Sequence, residues 1–296
     1  MVHLILTGAT GLVGSAVLSH ILSLPASATP RITRLSILSR NTDISLLSDS
    51  PPAGTPRTNK HTTIEVIEHK DFTRYPPELL RRLEGADACI WALGVSQNDV
   101  SKDKYVEITK DYTLNAAKAF AGLRTGGGGG NSDDNNNEST TSAGGKMFKF
   151  IYVSGEGATQ TPGRLTPLFG RVKGETETAL LDLARDKDFR GKLAVYSARP
   201  AGVDGTNQPW IWNKILRDHR STAQRVMFKS LLGPMRVLGR ESWLSPTEEL
   251  GRVLVDMALS DKVDGYEGTG VAGEEGRILG NIALRRLARE GTVKAN

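Results

Sequence analysis

The sequence predicts an α/β fold, a doubly wound parallel sheet followed by a small helical C-terminal lobe. Short β-branched or apolar segments alternate with longer segments of helical periodicity, and this alternation is typical of parallel βαβ units with right-handed crossovers. The apolar segments are also nearly continuous, as expected for strands that are covered by helices on both faces. Together the two patterns favour one sheet enclosed between two layers of helices.

Six strands and four helices account for most of the chain up to residue 200 in this prediction. The predicted strands are HLILT (3–7), RLSILS (34–39), TIEVIE (63–68), ACIWAL (88–93), MFKFIYVS (147–154) and KLAVYSA (192–198). The helices predicted between them are 11–22, 76–83, 101–121 and a segment around 167–186. Beyond residue 200 the pattern is mostly helical, with helices expected around 210–217, 222–232, 246–260 and 276–290.

We expect a single domain over residues 1–296, with a core of about 1–205 and a helical C-terminal lobe of about 206–296. The lobe is too short for an independent core, so we expect it to pack against the carboxyl edge of the sheet. Residues 125–145, TGGGGGNSDDNNNESTTSAGG, have almost no apolar side chains to offset the entropy of ordering them. This low-complexity segment is expected to be a mobile surface loop that folding does not require.

The composition is that of a globular protein, with 38% hydrophobic and 24% charged residues. Cys89 is the single cysteine, which excludes an internal disulfide and a cysteine-based zinc site. The histidines lack the spacing of a metal site, so no metal is expected. No apolar run approaches the roughly 20 residues needed to span a bilayer, and the N-terminus lacks the basic region and cleavage site of a signal peptide. A reducing, cytoplasmic location is therefore expected.

The chain is basic, with a net charge of +5 and a pI near 9.3. Nucleic-acid binding is not expected, because the basic residues are not interleaved with aromatic ones and no reading module is recognisable. Residues 222–239, TAQRVMFKSLLGPMRVLG, combine Met, Phe and Leu with Arg and Lys, and Gly233 and Pro234 should interrupt them. We expect a packing helix that closes a substrate pocket; peripheral contact with an anionic membrane is the alternative.

The strongest motif is LTGATGLVG (6–14), in which three glycines follow a predicted strand and open a predicted helix. Gly8 would allow a tight turn, Gly11 would let the backbone approach a diphosphate, and Gly14 would let the helix pack on the strand. The free N–H groups and positive end of the helix would then face the phosphates. The motif therefore predicts a dinucleotide site, with a structural turn that binds no ligand as the alternative. The neighbouring residues expected to contribute are Thr10, Leu12 and Val13.

Arg40 indicates which dinucleotide is expected. It follows the second predicted strand, at the position that faces the adenosine ribose in this type of fold. An arginine there suits a 2′-phosphate, whereas an acid would bind the free 2′-hydroxyl, and the first acid in this segment is Asp43. NADP is therefore predicted in preference to NAD, and a solvent-facing arginine beside a loop is the alternative.

The spacing of the glycines in TGATGLVGS (7–15) resembles the opening of the short-chain dehydrogenase/reductase superfamily, in its extended and atypical branches. YVSGEGA (152–158) and SARPAGVDG (197–205) are similar to later segments of the same Rossmann-like fold. KGETE (173–177) is similar to the NmrA-like and Tat-interacting-protein-like branch. The resemblance covers roughly residues 1–205 and weakens beyond them.

The resemblance implies further cofactor contacts. Within HKDF (69–72), Asp71 and the backbone of Phe72 would hold the adenine. WALG (91–94) matches the small-residue stretch whose backbone lines the cofactor ribose in the family. The remaining contacts implied by the resemblance are Ala92, Leu93, Gly94 and Pro200.

The same resemblance raises the question of catalysis. The family has a tyrosine and a lysine four residues apart on the helix after the fifth strand, and a serine or threonine at the end of that strand. Here Lys173 and Ser154 match by position, whereas Phe169 occupies the tyrosine position and has no proton to donate. Gly155 stands where the family often has a second small hydroxylic residue, so the role of Ser154 depends on which place holds the reactive serine.

Three interpretations follow from these residues. The first is an NADP(H)-binding protein with weak or no standard hydride transfer, which could act as a redox-responsive partner of other proteins. The second is an active oxidoreductase or epimerase-like enzyme on a small carbonyl or sugar-nucleotide substrate, whose acid is Glu156, Tyr152 or an ordered water. The third is a protein whose glycines serve a structural turn and which binds no nucleotide. The first is the interpretation that we adopt from the sequence.

Overall fold

The computed structural model describes residues 2–25, 31–124, 146–212, 243–273 and 275–294. The elements of the first half are β1 (Val2–Thr7), α1 (Leu12–Ser23), β2 (Ile32–Ser39), β3 (Thr63–Glu68), α2 (Pro77–Leu83), β4 (Ala88–Trp91), α3 (Lys102–Val106) and α4 (Tyr112–Phe120). Those of the second half are β5 (Phe148–Val153), α5 (Leu168–Arg185), β6 (Leu193–Arg199), β7 (Gly202–Asp204), β8 (Leu244–Pro246), α6 (Thr247–Leu259), β9 (Val271–Ala272), β10 (Ile278–Gly280) and α7 (Asn281–Lys294).

The main sheet has eight strands in the order β3-β2-β1-β4-β5-β6-β10-β9. All neighbouring pairs are parallel except β10 and β9, which are antiparallel. The chain therefore winds outward from β1 in one direction and from β4 in the other. Ligands of open α/β sheets bind at such a switch point, outside the carboxyl ends of the strands.

Two apolar cores lie on opposite faces of the sheet. One contains buried residues of α1, α6 and α7, including Val17, Leu254 and Ala283. The other contains buried residues of α2, α4 and α5, including Leu83 and Leu180. Because helices cover both faces, the strands can be nearly continuous in apolar residues, as the sequence indicated. The predicted doubly wound α/β fold is confirmed.

The C-terminal part contains three short strands that were not predicted, β8, β9 and β10, and the last of them replaces the start of a predicted helix. The segment 276–290 was expected to be helical throughout, but it begins with β10, which pairs with β6 through Ile278 and Ser197. A strand of three residues is too short to have a recognisable period, and Ile278 and Leu279 are buried by pairing with a distant strand. The helix expected around 276–290 therefore begins only at Asn281, after this strand, and the rest of that prediction is confirmed.

The helix predicted at 246–260 is α6, and it packs differently from the expectation. It contacts α1 and covers one face of the sheet rather than adding only to the carboxyl edge. The contact is close, because a Cβ at Gly251 would collide with the carbonyl oxygen of Ala16. The predictions made for 125–145 and 222–239, including a break at Gly233 and Pro234, lie outside the described residues.

The helix predicted at 101–121 contains an irregular turn. Between α3 and α4 the residues Glu107–Asp111 form a π-helical stretch, which continues one helical axis from Lys102 to Phe120. Single π turns inside α-helices are frequent at functional sites, because the extra residue changes the direction of nearby side chains. Thr109 belongs to this turn and lines the cavity described below.

Candidate functional site

Two adjoining cavities of about 690 and 780 Å³ lie at the carboxyl ends of the parallel strands. They share the residues at the switch point between β1 and β4, so they form one elongated groove. The shared lining residues include Gly11, Leu12, Ala92, Leu93 and Gly94. The groove reaches Arg40 at one end and Lys173 at the other. It therefore brings together most of the residues that the sequence predicted to bind a dinucleotide.

The turn between β1 and α1 depends on two of its glycines for packing. Gly8 has a φ of 69°, which favours glycine, and a Cβ there would collide with the carbonyl oxygen of Ala92. A Cβ at Gly14 would collide with the carbonyl oxygen of Gly8. At Gly11 a Cβ would meet only Gly8 O among the described atoms, at 3.3 Å. A methyl group at Gly11 would therefore make one tight contact rather than a collision, and the bare backbone of this glycine faces the groove.

The N-terminus of α1 lies in the middle of the groove. Its N-cap, Gly11, provides no side-chain hydrogen bond, and the first turn has no acidic residue. The first N–H groups of a helix lack partners within the helix, and the helix dipole adds a partial positive charge there. Leu12 and Val13 line the groove at this point. The geometry fits an anion such as the diphosphate of a dinucleotide, which is the predicted role of the motif.

Arg40 lines the larger cavity together with Ser39, Asn41 and Asp43. Its side chain is exposed, and it has no hydrogen bond or ion pair with the residues that the structure describes. Asp43, the nearest acidic residue in the sequence, forms no ion pair with Arg40 in the part of the chain that the structure describes. Its backbone N–H donates a hydrogen bond to Asn41 Oδ1 at 2.9 Å, which stabilises the loop. A guanidinium without a carboxylate partner at the edge of a groove fits a phosphate group.

Trp210 was not predicted from the sequence, although it lines the same end of the groove with Pro52. Its ring lies against Gly54, where a Cβ would come within 3.0 Å of it, and its Nε1–H donates to Ser19 Oγ at 3.4 Å. The turn-rich segment between β2 and β3 therefore packs on a residue far away in the sequence. Local patterns contain no signal for such a contact.

Asp71 and Phe72 do not line either cavity. Asp71 Oδ1 accepts hydrogen bonds from Thr73 Oγ1 at 2.5 Å and from Thr73 N at 3.0 Å, and these bonds lower the pKa of the carboxyl group. Phe72 is fully buried, and its ring packs edge-on against Trp91. The two residues that the resemblance assigned to the adenine thus lie beside the groove, with their side chains engaged in local contacts.

Ser154, Phe169 and Lys173 come together at the other end of the groove, although they belong to different elements. Ser154 follows β5, and its buried Oγ has no hydrogen-bond partner among the described residues. Lys173 Nζ donates to Ser154 O at 2.5 Å and to Val153 O at 3.3 Å. Burial lowers the pKa of Lys173 to about 8, against the opposing charge of Glu177.

Phe169 occupies the groove without a polar group on its side chain. Its ring lies within 3.5 Å of a Cβ placed at Gly157, and its backbone N–H donates to Gln97 Oε1 at 2.9 Å. The loop after β5 lies directly on α5 here, because a Cβ at Gly174 would collide with Thr159 O. The ring is therefore part of the groove wall, and position 169 offers no proton donor.

Neither of the two side chains considered as alternative acids is placed to replace a tyrosine at position 169. The Tyr152 hydroxyl is buried, and burial raises its pKa well above the usual value, which makes it a poor proton donor at neutral pH. Glu156 is exposed, and its Oε2 accepts a hydrogen bond from the N–H of Asn281 at 3.2 Å, at the first residue of α7. Its carboxylate therefore stabilises the start of that helix.

An ion pair that the sequence did not predict lies beneath this end of the groove. Arg199, at the end of β6, binds the carboxylate of Glu177, on α5, through two hydrogen bonds. Glu177 has no exposed surface. Glu177 lies in KGETE (173–177) and Arg199 in SARPAGVDG (197–205), which are two of the segments quoted for the resemblance. These two segments are therefore in contact in the fold.

The described residues show neither a metal site nor a membrane span. They contain no group of three or more His, Cys, Asp or Glu side chains able to hold a metal ion. None of their helices combines the length and the apolar character needed to cross a bilayer. His3 and His20 are instead packed within the fold, and burial lowers the pKa of each to about 4.

Comparison with known proteins identified two relatives in sequence, although no family model matches the chain. Botcinic acid biosynthesis cluster B protein 16 of Botryotinia fuckeliana (strain B05.10) is 37% identical over 176 residues, which cover 59% of this chain and 96% of that protein. Leucinostatins biosynthesis cluster protein T of Purpureocillium lilacinum is 29% identical over 302 residues, which cover 96% of this chain and 94% of that protein.

Solved structures share the fold at low sequence identity. The Bordetella bronchiseptica enzyme WbmF, in complex with NAD⁺, matches with a TM-score of 0.54 and 12% identity, over 100% of this chain and 79% of its own. A UDP-N-acetylglucosamine 4-epimerase from Methanobrevibacter ruminantium M1, in complex with UDP-N-acetylmuramic acid, matches with a TM-score of 0.51 and 14% identity, over 88% of this chain and 74% of its own. The chain thus belongs to the same family as botcinic acid biosynthesis cluster B protein 16, and it shares the Rossmann-like fold of these solved structures.

Proposed function

We propose that the chain binds NADP(H) in the groove and has weak or no hydride transfer of the standard, tyrosine-dependent type. The observation that supports binding is the uncapped N-terminus of α1 in the middle of the groove, with Arg40 at one end and Lys173 at the other. The order of these groups along the groove is the order expected for a dinucleotide with an additional phosphate. When bound, such a cofactor supplies hydride transfer through its nicotinamide ring.

Each part of the cofactor has a proposed place. The backbone of Gly11, Leu12 and Val13 would bind the diphosphate, because their N–H groups lie at the positive end of α1. Arg40 would bind the 2′-phosphate through a charge-assisted hydrogen bond. The nicotinamide half would extend between the residues after β4 and those after β6. The residues proposed to line that half are Ala92, Leu93, Gly94, Pro200 and Lys173.

The proposed lack of standard hydride transfer is supported by Phe169. A phenylalanine cannot donate a proton to a substrate oxygen, and loss of a general acid typically lowers rates by about 10²- to 10⁴-fold. Neither Tyr152 nor Glu156 replaces it, since one hydroxyl is buried and the other side chain stabilises the start of α7. The site keeps a lysine and a serine beside the groove but not the usual acid.

A second candidate is an active oxidoreductase or epimerase-like enzyme on a small carbonyl or sugar-nucleotide substrate. The Ser154 hydroxyl favours it, because a buried polar group without a partner is costly unless a ligand binds it. The relatives named for biosynthesis clusters support a role in small-molecule metabolism. The epimerase of similar fold is named for a complex with a sugar nucleotide, which supports the same substrate class.

The decisive experiment is a titration of the protein with NADPH and with NADH. Trp210 and Trp243 line the groove, so we expect energy transfer from tryptophan to bound NADPH that saturates at micromolar concentration. NADH should bind more weakly because it lacks the phosphate proposed to contact Arg40. Absence of saturable transfer, together with absence of heat in calorimetry at high micromolar NADPH, would refute the proposal of a cofactor site.

A further inference from the structure

The ammonium group of Lys173 has an unusual set of partners. Its two hydrogen bonds go to the backbone oxygens of Val153 and Ser154, and no carboxylate lies within ion-pair distance among the described residues. Glu177 is one helical turn further along α5 and would be the natural partner. Both of its carboxylate oxygens are instead bound by Arg199. Because Arg199 binds Glu177, Lys173 has no ion-pair partner among the described residues.

The space between Lys173 and the groove is also open. A Cβ at Gly155 would lie 3.8 Å from Lys173 Nζ, so any larger side chain at that position would lie over the ammonium group. Phe169, four residues earlier on α5, carries no hydroxyl that could stand between the lysine and a ligand. Two positions that could hold polar side chains therefore hold none, and Lys173 lines the cavity directly.

The charged and titratable groups around Lys173 come from four elements. Glu177 on α5 attracts its proton, while the Glu177 carboxylate is itself paired with Arg199 on β6. Tyr152 on β5 places its ring centroid 5.9 Å from Nζ, and Glu156 in the following loop lines the same cavity. Desolvation outweighs these charges and lowers the lysine pKa to about 8, so the ammonium form still predominates at neutral pH but gives up its proton more readily than an exposed lysine does.

We propose that Lys173 is the proton donor of this site, in place of the absent tyrosine, and that Arg199 and Glu177 are positioning residues that keep it unpaired. The inference rests on the proposed binding of NADP(H). The cofactor would supply a hydride to the carbonyl carbon of a substrate, and the Lys173 ammonium would supply a proton to its oxygen. The carbonyl becomes an alcohol and the lysine a neutral amine, which regains a proton from water. The Ser154 hydroxyl can donate a hydrogen bond to the same oxygen.

The first test measures the titration of Lys173 without turnover. The protein is labelled briefly with an amine-reactive reagent across pH 6–11, and labelling at Lys173 is read by mass spectrometry. We expect a midpoint near pH 8 in the wild type. In Arg199→Gln the released Glu177 would pair with Lys173 and move the midpoint upward by about one unit, which is roughly fivefold less labelling at pH 8. The double variant Arg199→Gln/Glu177→Gln removes both charges and should restore the low midpoint.

Two results would overturn the proposal at this stage. One is a Lys173 midpoint in the range of exposed lysines in the wild type. The other is a midpoint that stays the same in Arg199→Gln while circular dichroism shows a folded protein. If Arg199→Gln does not fold, Arg199→Lys provides the comparison, because lysine keeps the positive charge but cannot bind both carboxylate oxygens of Glu177 as the guanidinium does. An upward shift of the Lys173 midpoint in this variant supports pairing of Glu177 with Lys173. An unchanged midpoint opposes it.

The second test uses turnover of a panel of carbonyl compounds with NADPH. We expect slow reduction by the wild type, with a rate that declines above about pH 8. In Lys173→Met the rate should fall by at least about tenfold. Lys173→Arg should show a similar fall in rate, because arginine keeps the charge but does not release its proton. Absence of turnover in the wild type, or full turnover in Lys173→Met, would refute the proton-donor role. NADPH binding is measured in each protein, so failure of the cofactor proposal is seen separately from failure of this one.

Discussion

Arg199 binds the fully buried carboxylate of Glu177 with two hydrogen bonds, Nε to Oε1 at 2.9 Å and Nη2 to Oε2 at 2.5 Å. The pair joins α5, which carries Lys173, to the end of β6, where the chain turns into the groove. A buried charge that loses its partner is strongly destabilising, because the remaining charge stays desolvated. The ion pair is therefore expected to support both the fold and the position of Lys173.

The first prediction concerns stability. Arg199→Ala removes both hydrogen bonds from the buried Glu177 carboxylate, and loss of a buried charge's partner costs about 3–5 kcal/mol of the free energy of unfolding. Pairing of the released carboxylate with Lys173 offsets part of this, so we expect a loss at or below the lower end of that range. Urea denaturation followed by circular dichroism measures it. The exposed pair of Lys146 and Asp261 is the matched control, and Lys146→Ala should have no measurable effect. Equal effects of the two substitutions would contradict the role assigned to the buried pair.

The second prediction separates two glycines of the first turn. Gly14→Ala should destabilise the fold, because its Cβ would collide with the backbone of Gly8. Gly11→Ala should change stability little but weaken NADPH binding, since its methyl group would point to the proposed diphosphate position. Thermal unfolding and NADPH titration of both variants check this. A Gly11→Ala protein that binds NADPH as tightly as the wild type would show that the diphosphate does not approach Gly11.

The third prediction concerns cofactor selectivity. Arg40→Ala should weaken NADPH binding by roughly 10- to 100-fold, the value of a charge-assisted hydrogen bond, and leave NADH binding almost unchanged. Its stability should stay the same, because Arg40 has no partner among the described residues. Arg81→Ala, an exposed arginine on α2 outside the groove lining, is the control. Equal loss of both cofactors would argue against recognition of the 2′-phosphate.

The fourth prediction is a pH dependence of stability. Burial lowers the pKa of His3 to about 4, and its ring nitrogen Nε2 is hydrogen bonded to Ser36 Oγ at 2.9 Å. Between the unfolded pKa of 6.5 and about 4, the unfolded chain binds more protons than the folded one, so stability falls as the pH is lowered through this range. The full shift corresponds to a loss on the order of 3 kcal/mol for this group.

Denaturation midpoints of the wild type and of His3→Gln between pH 4 and 8 measure this contribution. The variant cannot gain a proton, so its stability should fall less steeply with decreasing pH. His20, whose pKa burial also lowers to about 4, keeps part of the dependence in the variant. Parallel curves for the two proteins would mean that His3 does not contribute.

The sequence predicted those parts of the fold that are set by local patterns. The β1 strand, the glycine turn and α1 follow from residues that are close together in the chain, and the same holds for the position of Lys173 one turn after Phe169. Features that depend on distant contacts were missed. β10 pairs with β6, about 80 residues earlier in the chain. Trp210 and Arg40 line the same cavity although they are far apart in the sequence. Glu177 on α5 is bound by Arg199 on β6. The residue types that make these contacts can be read from the sequence, but which of them pair is determined only by the three-dimensional fold.

The last prediction concerns a hydroxyl group added at position 169. Phe169→Tyr places a phenol one helical turn from the low-pKa ammonium of Lys173, on a ring that lines the groove. A phenol is a better-placed acid than the lysine alone, so we expect carbonyl reduction with NADPH to rise by about 10²-fold or more. Phe169→Leu removes the ring without adding an acid, and it should show no such gain. If Phe169→Tyr leaves the rate unchanged although NADPH binds and the protein is folded, the groove does not bring substrate to position 169. A low rate of carbonyl reduction by the wild type would then be explained by the shape of the substrate pocket rather than by the absence of a proton donor at position 169.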